Sequence, residues 1–243
     1  MHRPAIIFVL AGLVAALGAG GAGAQEAYRE VAVNKAATIT GEAIFAGPPP
    51  EPYVIWVKKD AEVFGEKIPD DRLVVSQAGK IKNVVVTLEG IREGKPWPNP
   101  NHRPQLVNKG GRFLPHVQAV RAGTQLEIIN RDPVLHNTHG YQGGRTVFNL
   151  AQPNQDQIIR KPLKQPGLID VMCDAHDWMS AWIVVSPHPY VAITGDDGTY
   201  AINDIPAGTY TLTAWHEKLG KKQVQVTVKA GEERKVNFTL PVK

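Results

Sequence analysis

Short runs of alternating apolar and polar residues, cut apart by turn formers, set the limits on this chain. Gln223-Val-Gln-Val-Thr-Val228 and Arg234-Lys-Val-Asn-Phe-Thr-Leu240 alternate with period two, and Ala37-Thr-Ile-Thr-Gly-Glu-Ala-Ile-Phe45 does so around its glycine. A period of two turns one face of a strand inward, and no stretch sustains a helical period beyond a turn or two. With 23 glycines and 19 prolines, turns are frequent and strands short. The fold class this implies is all-β.

Taken in order, Tyr53-Val-Ile-Trp-Val57, Leu73-Val-Val75 and Asn83-Val-Val-Val-Thr-Leu88 read as strands. Residues 93–104 hold four prolines and suit neither a central strand nor a helix, so they read as a linker or surface loop. Phe113 to Val120, a turn at Ala122-Gly123, and Thr124 to Asn130 read as a hairpin, followed by Tyr141 to Gln157 as a polar surface excursion. Ile158 to Lys164 and Gly167 to Met172 are further strands. After Pro187 strands follow closely, with turns at Gly195-Asp-Asp-Gly198 and Ile205-Pro-Ala-Gly208.

The first 24 residues read as a cleaved export signal: His2 and Arg3, an apolar run from Ala5 to Leu17, and Ala22-Gly-Ala24 before Gln25. That run is short for a membrane span, and no later stretch approaches spanning length, so no stable membrane insertion is expected. The location expected is periplasmic. A formal net charge of +4 is too mild to argue for nucleic acid, and no basic stripe interleaved with aromatics accompanies it.

An exported chain meets oxidising conditions, where cysteines usually pair. This one has a single cysteine, Cys173, in Asp170-Val-Met-Cys-Asp-Ala-His-Asp-Trp-Met-Ser-Ala-Trp-Ile-Val-Val185. His176 follows it by three residues and Met179 by six. A thiolate, an imidazole and a thioether in one loop are donors of a mononuclear copper site, which takes two His and one Cys in a plane with a long axial Met. The second His comes from Leu135-His136-Asn137-Thr138-His139. His136 is the expected ligand, and His139 is open between a loop residue and an auxiliary ligand. The bland alternatives are a packed inert thiol at Cys173 and a core-filling thioether at Met179. His116, His188 and His216 read as surface or hydrogen-bonded, and His102 as a loop residue.

Cys173-x2-His176-x2-Met179 with Asp-Pro-Val-Leu-His136-Asn upstream resembles the cupredoxins, and the ligand-loop spacing is most similar to amicyanin. The wider chain resembles proteins labelled methylamine utilization proteins. These resemblances imply a Greek-key cupredoxin sandwich over residues 97–187 and one type 1 copper bound by His136, Cys173, His176 and Met179. They also imply that Asn137 ties the two ligand loops together. Relatives of that kind often carry two further cysteines, and at the matching positions this chain has Phe64 and Gly111. Residues 188–243 resemble half of a carboxypeptidase regulatory-like (transthyretin-like) sandwich. Residues 25–96, with Thr40-Gly-Glu-Ala and Asn83-Val-Val-Val, resemble its opening strands. About 55 residues are thin for a sandwich to bury its own core. The expectation is therefore a cupredoxin inserted into a smaller, discontinuous sandwich. In the plainer alternative, residues 37–88 simply extend the cupredoxin.

The function implied is single-electron transfer between redox proteins, a dehydrogenase or a c-type cytochrome, with a loose link to amine oxidation. It requires no catalytic residue. The alternative, from another class, is a carbohydrate- or protein-binding sandwich, or a copper carrier or store. A dinuclear copper centre needs a second cysteine, and structural zinc usually takes more thiolates. No phosphate-binding glycine loop or Ser-His-Asp order is present.

Overall fold

In the computed structural model, which describes residues 28–241, the chain forms twenty-one strands and one four-residue helical turn, Ala61–Phe64. The expected export signal at 1–24 lies outside the described residues. Most of the strands assemble into two sandwiches, each with its own apolar core, beside two separate two-stranded pairs, and the all-β reading holds. Among the described residues no helix is long and apolar enough to cross a membrane.

The first sandwich packs a five-stranded sheet on a four-stranded one. In the five-stranded sheet His136–Gln142 pairs antiparallel with Arg145–Gln152 and Gly167–Met172. Gly167–Met172 pairs with Ser180–Ser186, which runs parallel to Val117–Arg121. The other sheet places Gln125–Asn130 between Ile158–Pro162 and Gln105–Asn108. Leu106, Phe113, Leu126, Ile128, Val171 and Ile183 are nearly or wholly buried between them. Alternation explains the choice of faces: in Gly167–Met172, Ile169 and Val171 point inward while Leu168, Asp170 and Met172 point out.

Two sequence expectations are corrected here. Val117–Arg121 and Gln125–Asn130 do not pair with each other; they belong to opposite sheets, and the chain arches across the core at Ala122-Gly123. Both strands are apolar enough to face one core from its two sides. Residues 141–157 are not a polar excursion either. His136–Gln142 and Arg145–Gln152 form a hairpin around Gly143-Gly144, both at positive φ (56° and 77°) as a two-residue hairpin turn requires.

The second sandwich draws on both ends of the chain. Ala37–Ala46 pairs antiparallel with Thr199–Ile205 and parallel with Glu233–Lys235 and Phe238–Pro241. Val85–Glu89 pairs antiparallel with Val191–Ile193 and Gly208–His216. Residues from 37–91 and 190–240 share one core, including Ile39, Ile81, Leu88, Tyr190, Leu212 and Phe238. The pairings between residues 37–88 and 190–240 exclude the alternative in which 37–88 only extends the first sandwich. Trp182 of the first sandwich meets Trp215 of the second edge-on, ring centres 5.0 Å apart. Beside them Glu217 contacts the Nε2 of His116.

Candidate metal centre

The donor-rich loop joins Gly167–Met172 to Ser180–Ser186 at one end of the first sandwich. Cys173 stands one residue beyond the first strand, and Met179 one residue before the second. The loop is closed by its own backbone: the Cys173 N–H donates to Met179 O (3.3 Å) and the Met179 N–H to His176 O (3.0 Å). His136 opens the neighbouring strand, where register with Gly167–Met172 carries it to the same end. The turn ahead of it is braced by Asn130, whose side chain donates to Val134 O and accepts from the Asp132 N–H.

Three donors converge. The Cys173 Sγ lies 3.9 Å from His136 Nδ1 and 3.7 Å from His176 Nδ1, and all three atoms fall within 4.8 Å of one another. With metal–sulfur and metal–nitrogen bonds of about 2.3 and 2.0 Å, a thiolate and an imidazole 120° apart would stand about 3.7 Å from each other. Met179 lies in the same loop and core with 2% of its surface exposed. His136, His176 and Cys173 are 0%, 1% and 3% exposed, so the centre is sealed from bulk water.

The orientation of the rings is decided from outside. His136 Nε2 is 2.9 Å from Asp132 Oδ2, and His176 Nε2 is 2.8 Å from Asp60 Oδ2. An ionised carboxylate only accepts, so each neutral ring must carry its proton on Nε2 and leave the Nδ1 lone pair facing the sulfur. Metal-ligating histidines are commonly held in this way. A donor set of one thiolate and two such imidazoles fits a single soft or borderline ion.

Charge distribution supports the same reading. Burial pushes the Cys173 thiol up, but His136, His176 and the backbone N–H groups of Asn137 and Ala175 outweigh it and hold the thiol at about 6. Burial disfavours a charged His136, yet Asp132 and Cys173 raise it overall. Asp132 is held below the ordinary carboxylate range: burial opposes ionisation, and His136 with the Gly110 and Gly111 N–H groups overcomes it.

Asn137 bridges the two ligand loops. Its N–H donates to Cys173 Sγ (3.3 Å), and its Oδ1 accepts from the Asp174 N–H (3.4 Å). His139 stands apart: Nδ1 faces Asp174, Nε2 faces Thr146 Oγ1, and the ring stacks on Tyr141 at 4.1 Å. It does not join the three donors. Trp178 packs on His176 at 5.1 Å and donates its indole N–H to Gly111 O. His116, His188 and His216 are all buried and hydrogen-bonded, which removes the surface reading of the three.

Sequence reasoning missed Asp132, Asp60 and the place of the Phe64 ring against both imidazoles. Asp132 was within reach: it sits four residues before His136, at the head of the quoted motif. Asp60 and Phe64 carry no local signal, being far in the chain from either ligand loop. Phe64 and Gly111 are neighbours, as a Cβ on Gly111 would stand 3.2 Å from Phe64 Cγ.

A family model described as carboxypeptidase regulatory-like domain matches residues 181–241. Its span begins in Ser180–Ser186, a strand of the first sandwich, and omits Ala37–Ala46 and Val85–Glu89, which complete the second. No curated protein sequence matches the chain. Among solved structures it is similar to a Cu-containing nitrite reductase from Thermus scotoductus SA-01: 22% identity, TM-score 0.33, 35% of this chain and 22% of that one. A purple cupredoxin from Nitrosopumilus maritimus matches at 22% identity and TM-score 0.31, over 34% and 99% of the two chains. The Cu(I) form of an amicyanin with one methionine changed to alanine matches at 18% identity and TM-score 0.32, over 42% and 98%.

Proposed function

We propose that this chain is a periplasmic electron carrier in which Cys173, His136, His176 and Met179 would hold one type 1 copper. The observation that carries the reading is the pair of imidazoles aimed at one buried thiol, each locked from behind by a carboxylate. Copper supplies a Cu(I)/Cu(II) couple whose potential responds to the axial ligand and to hydrogen bonding at the sulfur.

The protein's part is to hold the donors still. Asp132 and Asp60 keep both Nδ1 lone pairs inward, and the Asn137 N–H draws charge from the sulfur. Burial removes water that would otherwise rearrange with each change of charge. The partners proposed are redox proteins, a dehydrogenase or a c-type cytochrome. The location rests on the leader-like first 24 residues.

Copper titration of the chain from Gln25 onward, followed by optical and spin-resonance spectroscopy, tests this. The expected result is one copper per chain and an intense thiolate-to-copper band that a reductant bleaches reversibly. Cys173→Ser abolishes the band and leaves the β circular dichroism intact. Colour that persists in Cys173→Ser would overturn the ligand set, and copper bound without colour would point to carriage or storage.

A further inference from the structure

The residues that shut the centre off from water do not all come from the sandwich that carries its donors. Asp60 and Phe64 lie between the short strands Val54–Trp56 and Lys67–Pro69. This excursion leaves and re-enters the second sandwich between Ala37–Ala46 and Val85–Glu89. It is fastened across the ligand loop at several points. Asp60 meets His176 Nε2 at 2.8 Å, Lys59 Nζ donates to Ala175 O at 3.4 Å, and Lys58 lies 3.7 Å from Asp177. The Phe64 ring stands edge-on to His176 at 5.4 Å and to Trp178 at 6.4 Å, and tilts over His136 at 6.0 Å. Gly111 gives that ring its room.

Asp60 is also in an uncommon conformation. It sits at the N-cap of Ala61–Phe64 with φ 56°, in the left-handed region, and its side chain makes no cap bond. An aspartate at that position ordinarily caps the turn that follows. Here the carboxylate points at an imidazole instead.

We propose that residues 58–65 are a cover for the metal centre, supplied by the other sandwich. In it Asp60 positions His176, and Phe64 plugs the approach to the metal. The inference rests on the copper reading above and deepens it. A centre closed in this way exchanges electrons but not ligands, which separates it from copper sites that bind a small substrate.

The test compares the chain from Gln25 onward with Phe64→Ala, Phe64→Leu, Asp60→Asn and Val63→Ala, the last an exposed residue of the same turn. In the metal-free protein, the rate at which iodoacetamide alkylates Cys173 reads the cover directly. Phe64→Ala is expected to react at least tenfold faster, and Phe64→Leu and Val63→Ala to stay near wild type. In the copper-loaded protein, Phe64→Ala is expected to admit azide, seen as a new ligand-to-metal band, and to lose copper to a chelator at least tenfold faster. Asp60→Asn is expected to bind copper 10–100-fold more weakly. It should also raise the reduction potential, because a negative charge behind a ligand favours Cu(II). Loss of packing alone would not give that direction.

Wild-type alkylation and copper-release rates in Phe64→Ala would overturn the cover. An unchanged affinity and potential in Asp60→Asn would overturn its positioning role. A wild-type protein that takes up no copper overturns the function proposed above, and the alkylation rates of the metal-free proteins then decide the cover alone.

Discussion

Each histidine of the centre does its work because of an aspartate behind it. Asp132 holds His136 and is itself held by the N–H groups of Gly110 (2.8 Å) and Gly111 (3.2 Å). Asp132→Asn keeps the volume and loses the charge. The expected outcome is a 10–100-fold loss of copper affinity in a competition titration, with about 1–3 kcal/mol lost in denaturant melts from the disturbed buried bonds. A different histidine contributes to the loss of stability in acid. His216 is 1% exposed in the second sandwich, and its pKa is pushed down to about 4. Burial is the main cause; Glu217 opposes it, while His116 and Lys218 add to it. The unfolded chain takes up this proton near pH 6.5 and the folded one only near 4. Its contribution is therefore intact above the first value and lost as pH falls to the second, by about 3 kcal/mol in all. Denaturant melts at pH 7, 5.5 and 4 should show that part of the slope missing in His216→Gln. Cys173, His176, Met179 and His136 were legible as candidate donors because their chemistry and spacing are local. Asp60 was not, since only the fold brings an aspartate 116 positions away in the chain against His176.

Among the elements, Ala37–Ala46 is the strand on which the second sandwich depends, because it pairs on both sides. Its glycine explains how a single strand tolerates that crowding. A Cβ at Gly41 would stand 1.7 Å from Val236 O and 2.8 Å from the Tyr200 ring, whose hydroxyl donates to that same carbonyl. Gly41→Ala is expected to destabilise the second sandwich by about 1–3 kcal/mol or more in urea unfolding. The copper spectrum of the intact protein should be unaltered below the transition. Alternation made this strand readable in the sequence. The hairpin His136–Gln142 with Arg145–Gln152 was not, because exposed Arg145, Thr146 and Asn149 and even the buried Thr138 and Gln152 are polar, and a polar strand looks like a loop. The crossing at Ala122-Gly123 failed for the opposite reason: two adjacent apolar strands carry no local mark that says whether they pair or face each other.

At the scale of the whole molecule, the halves of the second sandwich depend on each other. A chain ending at residue 187 keeps the first sandwich's strands but leaves Ala37–Ala46 and Val85–Glu89 without Thr199–Ile205 and Gly208–His216. The expected result is rapid amide exchange throughout residues 37–89. The Cys173 alkylation rate should rise as well, because residues 58–65 lose the framework that presents them. Had 37–89 stayed protected in such a fragment, these strands would have to be self-sufficient, which their shared core contradicts.

Chain order then acquires a meaning in time. The two contributions to the second sandwich leave the ribosome roughly a hundred residues apart. Whatever emerges first waits, edges unsatisfied, while everything carrying the thiol and both imidazoles is still being made. Completion of the inserted unit is what brings the waiting strands within reach of their mates, so the second sandwich can close only after the first has been made.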